Sequence, residues 1–320
     1  MNRTALALLC VSALGMGCTD GTESSGTGAA AQFYEQTADG TGNGYAANIT
    51  YDSGTDTFYV DGLGFDGDED EGTAFARLIP GNDLALPAGF ALYESPTSHP
   101  DSLTGNPIAQ MEHRALYGVS GSGDTEFAIV RTGAYLGYGF GGFVYQRNGT
   151  VVLPSTGQAL YSGQYVGLRD YDGQSGLEYT TGDMEVAIDF NGFSTQCTGG
   201  CASAVRGFVS NRRYFDGDGN DVTAAYLTAL GTAKSAVYTE IPTLVFTVGP
   251  DVMNDQGELT GSVTSSIATS TGSETHESGT YYAVLSGDDA EEMVGVIVVT
   301  SGVPNSSSTM RETGGFLLER

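Results

Sequence analysis

The sequence predicts an all-β fold, on three observations. Glycine, tyrosine and phenylalanine are abundant, with 48, 18 and 14 copies in 320 residues, the composition of short strands joined by glycine-rich turns. Apolar and polar residues alternate over many short stretches: Met184, Val186, Ile188 and Phe190 share one face while Glu185, Ala187 and Asp189 share the other, the period of a half-buried strand. Long runs with helical spacing are almost missing. A chain of this length buries a substantial core without help from metals or many disulfides.

The elements follow in order. Residues 1–17, "MNRTALALLCVSALGMG", carry Arg3 and then an apolar stretch from Ala5 to Leu14. That stretch is too short to span a bilayer and fits an export signal. The Cys18 that follows is the expected lipidation site, as in the lipobox of bacterial lipoproteins, although Gly15 stands where an aliphatic residue is usual. Ordinary cleavage after Ala29 to Ala31 is the alternative, and it lies far beyond the apolar core. Residues 18–31 are small, polar and free of aromatics, so they cannot repay the entropy of ordering and read as a flexible tether.

Residues 32–153 read as a first β-rich unit. A hairpin is expected within Asn48 to Gly62, with further strands near Phe75 to Ile79, Phe90 to Tyr93, Arg114 to Val119, Glu126 to Thr132 and Tyr138 to Gln146. From Pro154 to Arg320 eight strands are expected: Gln158–Leu168, Asp183–Phe190, Ala202–Tyr214, Tyr238–Val248, Glu258–Ser266, Glu274–Leu285, Met293–Thr300 and Glu312–Glu319. Asp221 to Lys234, with an Asp at its start and Ala/Leu content, predicts one short helix in a connection. Eight antiparallel strands close into a barrel whose interior side chains just fill, which leaves no exposed sheet edge. In Gly279 to Val299, two staves flank "SGDDAEE" as a solvent-facing loop, with Tyr281, Tyr282, Val294, Val296 and Val298 among the packing residues.

Charge narrows the function. Twelve Lys and Arg stand against 39 Asp and Glu, a formal net of −27. Nucleic acid is excluded as a partner, because its recognition needs clustered cations on phosphates. Cys197 and Cys201 in "CTGGC" are expected to close a small disulfide loop in an oxidising compartment, with a redox or metal role as the alternative.

The words "GTYYAVLSGDDAEEMVGVIVV" (Gly279 to Val299) and "RETGGFLLER" (Arg311 to Arg320), preceded by "ALYSGQYVGL" (Ala159 to Leu168) and "GDMEVAIDFN" (Gly182 to Asn191), resemble the C-terminal barrel of transferrin-binding protein B and its solute-binding-like relatives. The resemblance covers roughly the C-terminal half. It implies an N-terminal β-rich handle domain followed by an eight-stranded antiparallel β-barrel, in a lipid-anchored outer-membrane or surface protein that captures a nutrient such as iron or haem, or binds a partner protein. Only one handle and barrel pair fits this length, Ala283 stands where the family often has Gly, and no transferrin-binding residue carries over. Because some relatives of this architecture bind haem, His99 and His113 enter as axial-ligand candidates.

Two acidic words, "DGDEDE" (Asp66 to Glu71) and "DGDGND" (Asp216 to Asp221), place carboxylates at alternate positions as calcium loops do. Asp216, Asp218, Asn220 and Asp221 are the calcium candidates; neither word completes the helix-loop-helix pattern. Acidic hairpin turns are the plain alternative. His99, His113 and His276 are far apart in sequence, and no nucleophile elbow, zinc-protease motif or phosphate loop is present. The sequence therefore reads as a non-enzymatic binding protein, held to outer-membrane lipid through acylated Cys18, whose ligand is a small molecule or a protein. The alternative is an integral eight-stranded outer-membrane barrel with a structural or pore role. It is opposed by Glu185, Asp189, Arg206 and Arg213, read as lying on both strand faces. A secreted hydrolase is a third reading, and it would require an acid-base pair in a cleft.

Overall fold

A computed structural model of the chain describes residues 49–60, 73–95, 98–100, 104, 107–109, 113–133, 138, 141–193, 204–246, 252–254 and 256–320. The expected signal, tether, Cys18, Cys197, Cys201 and the acidic word 66–71 lie outside these residues.

The first unit holds β1 (Ile49–Asp52), β2 (Thr57–Val60), β3 (Thr73–Leu78), β4 (Phe90–Glu94), β5 (Ser98–Pro100), β6 (Pro107–Ala109), β7 (His113–Val119), β8 (Thr125–Thr132) and β9 (Gly141–Arg147). Seven of them pair in the order β1-β2-β3-β4-β7-β8-β9, every neighbour antiparallel, and β5 with β6 forms a separate ribbon. The β1–β2 turn is built by Asp52, which accepts from the Gly54 amide and the Thr55 hydroxyl, each at 2.8 Å, the local bonding that favours Asp in turns. The β5–β6 ribbon has no counterpart in the sequence reading, because three-residue strands bearing Pro100 and Pro107 carry no alternating pattern.

The second unit is a closed barrel, β10 (Gln158–Tyr171), β11 (Glu178–Asp189), β12 (Val205–Phe215), β13 (Leu244–Phe246), β14 (Glu258–Thr269), β15 (Gly272–Ser286), β16 (Glu292–Gly302) and β17 (Thr309–Glu319), each paired with the next and β17 with β10. One helix, α1 (Thr223–Lys234), lies between β12 and β13. Of the expected strand Tyr238–Val248, β13 covers Leu244–Phe246, residues 238–243 are outside any strand, and 247 and 248 lie outside the described residues. Pro242 cannot donate to a ladder, and its carbonyl accepts from the Arg212 guanidinium at 2.8 Å instead.

Alternate residues fill the barrel. Tyr161, Tyr165, Met184, Val186, Ile188, Val209, Tyr281, Ile297 and Phe316 share one buried cluster, each contributing ~1.5–3 kcal/mol by burial. The end where β10 begins is closed by the β15–β16 connection. Asp288 and Asp289 face solvent as expected, but Ala290 turns inward, fully buried, and its carbonyl accepts from Tyr161 Oη at 2.6 Å.

One side of the barrel's outer wall is also buried. Leu92, Leu116, Phe127, Ile129, Phe143 and Tyr145 of the seven-stranded sheet pack against Val166, Leu168, Val284, Val294 and Val296. Of the five packing residues expected in the β15–β16 hairpin, therefore, Tyr281 lies inside the barrel while Tyr282, Val294, Val296 and Val298 lie in this seam. Gly314 and Gly315 show the consequence on one strand. A Cβ at Gly314 would collide with the Tyr165 ring, and one at Gly315 with the ring of Phe127. Away from the seam the outer wall is mixed, with Glu185, Arg206 and Arg213 exposed beside the apolar Leu160, Phe208 and Val245. The pairing of Ala187 with Arg206 and of Thr181 with Arg213 puts these residues and Asp189 on one face, the outer one, and not on both.

Candidate functional site

The barrel interior changes character toward the end where β10 finishes. Below, it is apolar; above, the same inward positions carry Arg169 of β10, Arg212 of β12, Glu277 of β15 and Glu312 of β17, all 4 % exposed or less. A bulge aims Arg212. The β11–β12 register shifts between Thr181 and Asp183, so that Asn211 and Arg212 face the single Gly182, with Asn211 at φ 51° and its amide on Asp183 Oδ2 at 2.7 Å. Such a bulge re-aims a side chain, and Asn tolerates this backbone conformation.

The guanidinium of Arg212 reaches Glu277 at 2.7 and 2.9 Å and Glu312 at 2.9 and 3.0 Å. Ser265 Oγ donates to Glu277 at 2.5 Å, and Tyr165 Oη to Glu312 at 2.8 Å. Arg169 pairs with Glu178, approaches Glu312 at 3.4 Å, and lies over the Tyr214 ring at 3.5 Å from its centroid. Burial alone would pull both guanidiniums down, but Tyr214 with Glu178 around Arg169, and Glu277 with Glu312 around Arg212, hold them above their ordinary range. Burial opposes the charge of Glu277 as well, yet Arg212 and Ser265 keep its carboxyl below the ordinary value. Arg169, Arg212 and Glu277 are therefore charged at neutral pH, in a buried network with Glu312 that is tolerable only because it is paired and hydrogen-bonded.

Helix α1 covers this end. Asp221 Oδ1 accepts from the Thr223 amide at 2.8 Å, one place before Val222 at the cap, and Ser235 ends the helix in the left-handed region at φ 52°. Only Leu230 of the helix is fully buried. Tyr226 points into the mouth: its ring stands edge-on to Tyr214 at 4.8 Å, and its hydroxyl meets His276 Nε2 at 2.8 Å. Burial pulls the His276 imidazole below its ordinary pKa, so this ring is neutral at pH 7.

Between α1 and the strand ends lies a cavity of about 270 Å³. Arg169, Tyr171, Glu178, Tyr226 and Ser301 form its polar and aromatic side, and Val222, Ala225, Ala229, Val303, Pro304 and Met310 form an apolar rim. Ser301 is 7 % exposed, and its hydroxyl has no hydrogen-bond partner among the described residues. A mostly apolar pocket with a few converging polar groups is the ordinary form of a small-molecule site.

No protein-family model matches the chain, and none of the curated proteins compared with it matches. Solved structures similar to it include a transferrin-binding protein B variant from Haemophilus parasuis Hp5, at 13 % identity and TM-score 0.34 over 67 % of this chain and 36 % of that one. Intact Ap-TbpB with its N and C lobes is similar at 13 % identity and TM-score 0.32, over 70 % of this chain and 38 % of that one. A surface lipoprotein is similar at 13 % identity and TM-score 0.30, over 60 % of this chain and 75 % of that one. This chain thus spans little more than a third of the first two structures. The similarities are too low to assign a family.

The residues singled out from sequence do not form this site. Asp216 Oδ1 accepts from the amides of Asp218 and Asn220 at 3.0 and 2.9 Å. Asp221 pairs with Arg213. The turn docks on the first unit, where Gly219 O accepts from the Asp83 and Leu84 amides, both at 3.0 Å. Its carboxylates thus shape a turn at the seam, and among the described residues no group of three or more His, Cys, Asp or Glu is placed to hold a metal ion. His113 is buried in β7, edge-on to Phe75 at 6.3 Å, and His99 belongs to β5. Arg169, Arg212, Glu277 and Glu312 escaped the sequence reading. The available signal was their parity: Arg169 follows Tyr161 and Tyr165 at even spacing, on the face those tyrosines bury.

Proposed function

We propose that the chain is a lipid-anchored binding protein of the bacterial outer membrane, non-catalytic, whose folded body stands in water and holds a small ligand at the covered mouth of its barrel. The observation that carries this reading is the division of the barrel's surfaces. Its lumen is filled by side chains from Tyr161 to Phe316 and leaves no channel among the described residues. Outside the seam, its wall carries Glu185, Arg206 and Arg213 in solvent. A barrel embedded in lipid needs the reverse, an apolar band around the whole girth. The export signal and Cys18 supply the anchor, and the chain's acidity keeps the body soluble and away from nucleic acid.

Expression without residues 1–31 tests the reading. The shortened chain is expected in the soluble fraction as a monodisperse body, whereas the full chain partitions with membranes. A shortened chain that stays folded only in detergent would overturn it.

A further inference from the structure

We propose that the cavity at the barrel mouth takes a small organic cation, a protonated amine carried on a compact apolar or aromatic body. The inference rests on reading the chain as a binding protein and adds the chemistry of its ligand. Charge is the first argument. Arg169 and Arg212 face Glu178, Glu277 and Glu312 in one connected cluster, two cations against three anions, which leaves a net of −1 beneath the cavity. Both guanidiniums are already engaged by carboxylates, and Arg169 also lies on the Tyr214 ring. The surplus charge is accessible at one place only. The Glu178 side chain is 26 % exposed, against 2 % or less for Arg169, Arg212, Glu277 and Glu312.

The acceptors fit an ammonium group. An ammonium has three donors and no acceptor, so it needs several acceptors converging on one point. Glu178 supplies a carboxylate on the wall, and Ser301 a buried hydroxyl that has no partner among the described residues. The rings of Tyr171 and Tyr226 line the same space, and aromatic faces attract cations. Apart from Arg169, whose guanidinium is held by Glu178, the rest of the wall, from Val222 and Ala225 to Pro304 and Met310, is apolar and suits a hydrocarbon body. The long-range field agrees: a chain of net charge −27 concentrates cations at its clefts and repels anions.

The test uses the full chain purified in detergent, with 2-phenylethylamine as probe and 3-phenylpropionate as its anionic counterpart, in calorimetric titrations. The amine is expected to bind with a dissociation constant on the order of 0.1 mM, and the acid at least tenfold more weakly. Glu178→Gln should weaken amine binding by roughly tenfold or more. Ala225→Phe, at an exposed helix position that lines the cavity, should abolish binding while leaving the melting temperature of the unliganded protein unchanged. Equal or tighter binding of the acid, amine binding that survives Ala225→Phe, or failure of both probes to bind would overturn the proposal. None of these outcomes bears on membrane release, so the ligand class and the tethered-body reading fail separately.

Discussion

Arg212 shows how one side chain holds the upper barrel together. It bridges two carboxylates on strands β15 and β17, and the three groups are fully buried. Removing one partner of a buried network leaves uncompensated charge, which costs about 3–5 kcal/mol. Arg212→Leu is therefore expected to lower unfolding free energy by that amount at pH 7, measured by denaturant titration. The pH dependence follows from the sign. In the native chain the Glu277 pKa is lowered from its ordinary 4.5, so the stability this carboxylate contributes is fully present above 4.5 and is lost as pH falls through the lowered value. In the variant, burial without a cation raises the Glu277 pKa above 4.5, and protonation relieves the penalty as pH falls. The gap between the two proteins should narrow on going from pH 7 to pH 4.5. A gap that widens would show that Arg212 acts through packing alone.

Strands differ in how readable they are, and the reason is what covers each face. β11 has one face inward and one in solvent, so Met184, Val186 and Ile188 alternate with Glu185 and Ala187, and the strand is legible from its pattern. β16 is buried on both faces over most of its length and reads as a nearly continuous apolar run, as strands covered on both sides do. β10 from Tyr165 to Asp170 and β17 from Met310 to Phe316 are likewise buried on both faces, and there Arg169 beside Asp170 and Arg311 beside Glu312 put charge on both faces, so alternation did not mark Arg169 and Glu312 as the inward charges. β13 defeated the reading differently, because β preference extended back to Tyr238 while Pro242 and its contact with Arg212 kept pairing from starting before Leu244. The acidic turn 216–221 was visible as a word, but its role came from Gly81, Asn82 and Asp83, far away in sequence. The glycine pair in β17 can be tested directly. Gly315→Val would push a branched side chain against Phe127, and overpacking of this kind costs about 1–3 kcal/mol. Its expected signature is a lower denaturation midpoint together with altered Phe127 ring signals by NMR, while Gly302→Val, where a Cβ meets no neighbouring atom, should leave both unchanged.

At the scale of the whole molecule, the seam makes two sheets into one cooperative body. The cluster around Phe127, Phe143, Val166 and Val294 draws residues from both units, so neither unit completes this core alone. Polar contacts fix the register of the docking. Arg131 of β8 donates to Thr313 Oγ1 at 2.7 Å and stands 3.8 Å from Asp170, which Arg311 also reaches at 3.2 Å. Thr125 and Arg147 add bonds to Glu292 and to the Leu285 carbonyl, each at 2.9 Å. Asp170 thus lies between two guanidiniums from different sheets, and it is 1 % exposed. The full chain is accordingly expected to unfold in a single calorimetric transition, with calorimetric and van't Hoff enthalpies in agreement. Asp170→Ala removes the shared counter-ion at a cost of about 3–5 kcal/mol, borne mainly by the seam and not by the barrel lumen. The variant should therefore resolve into two transitions, the first belonging to the seven-stranded sheet and the second to the barrel. A variant that still melts in one step at a lower temperature would show that the apolar seam alone couples the units.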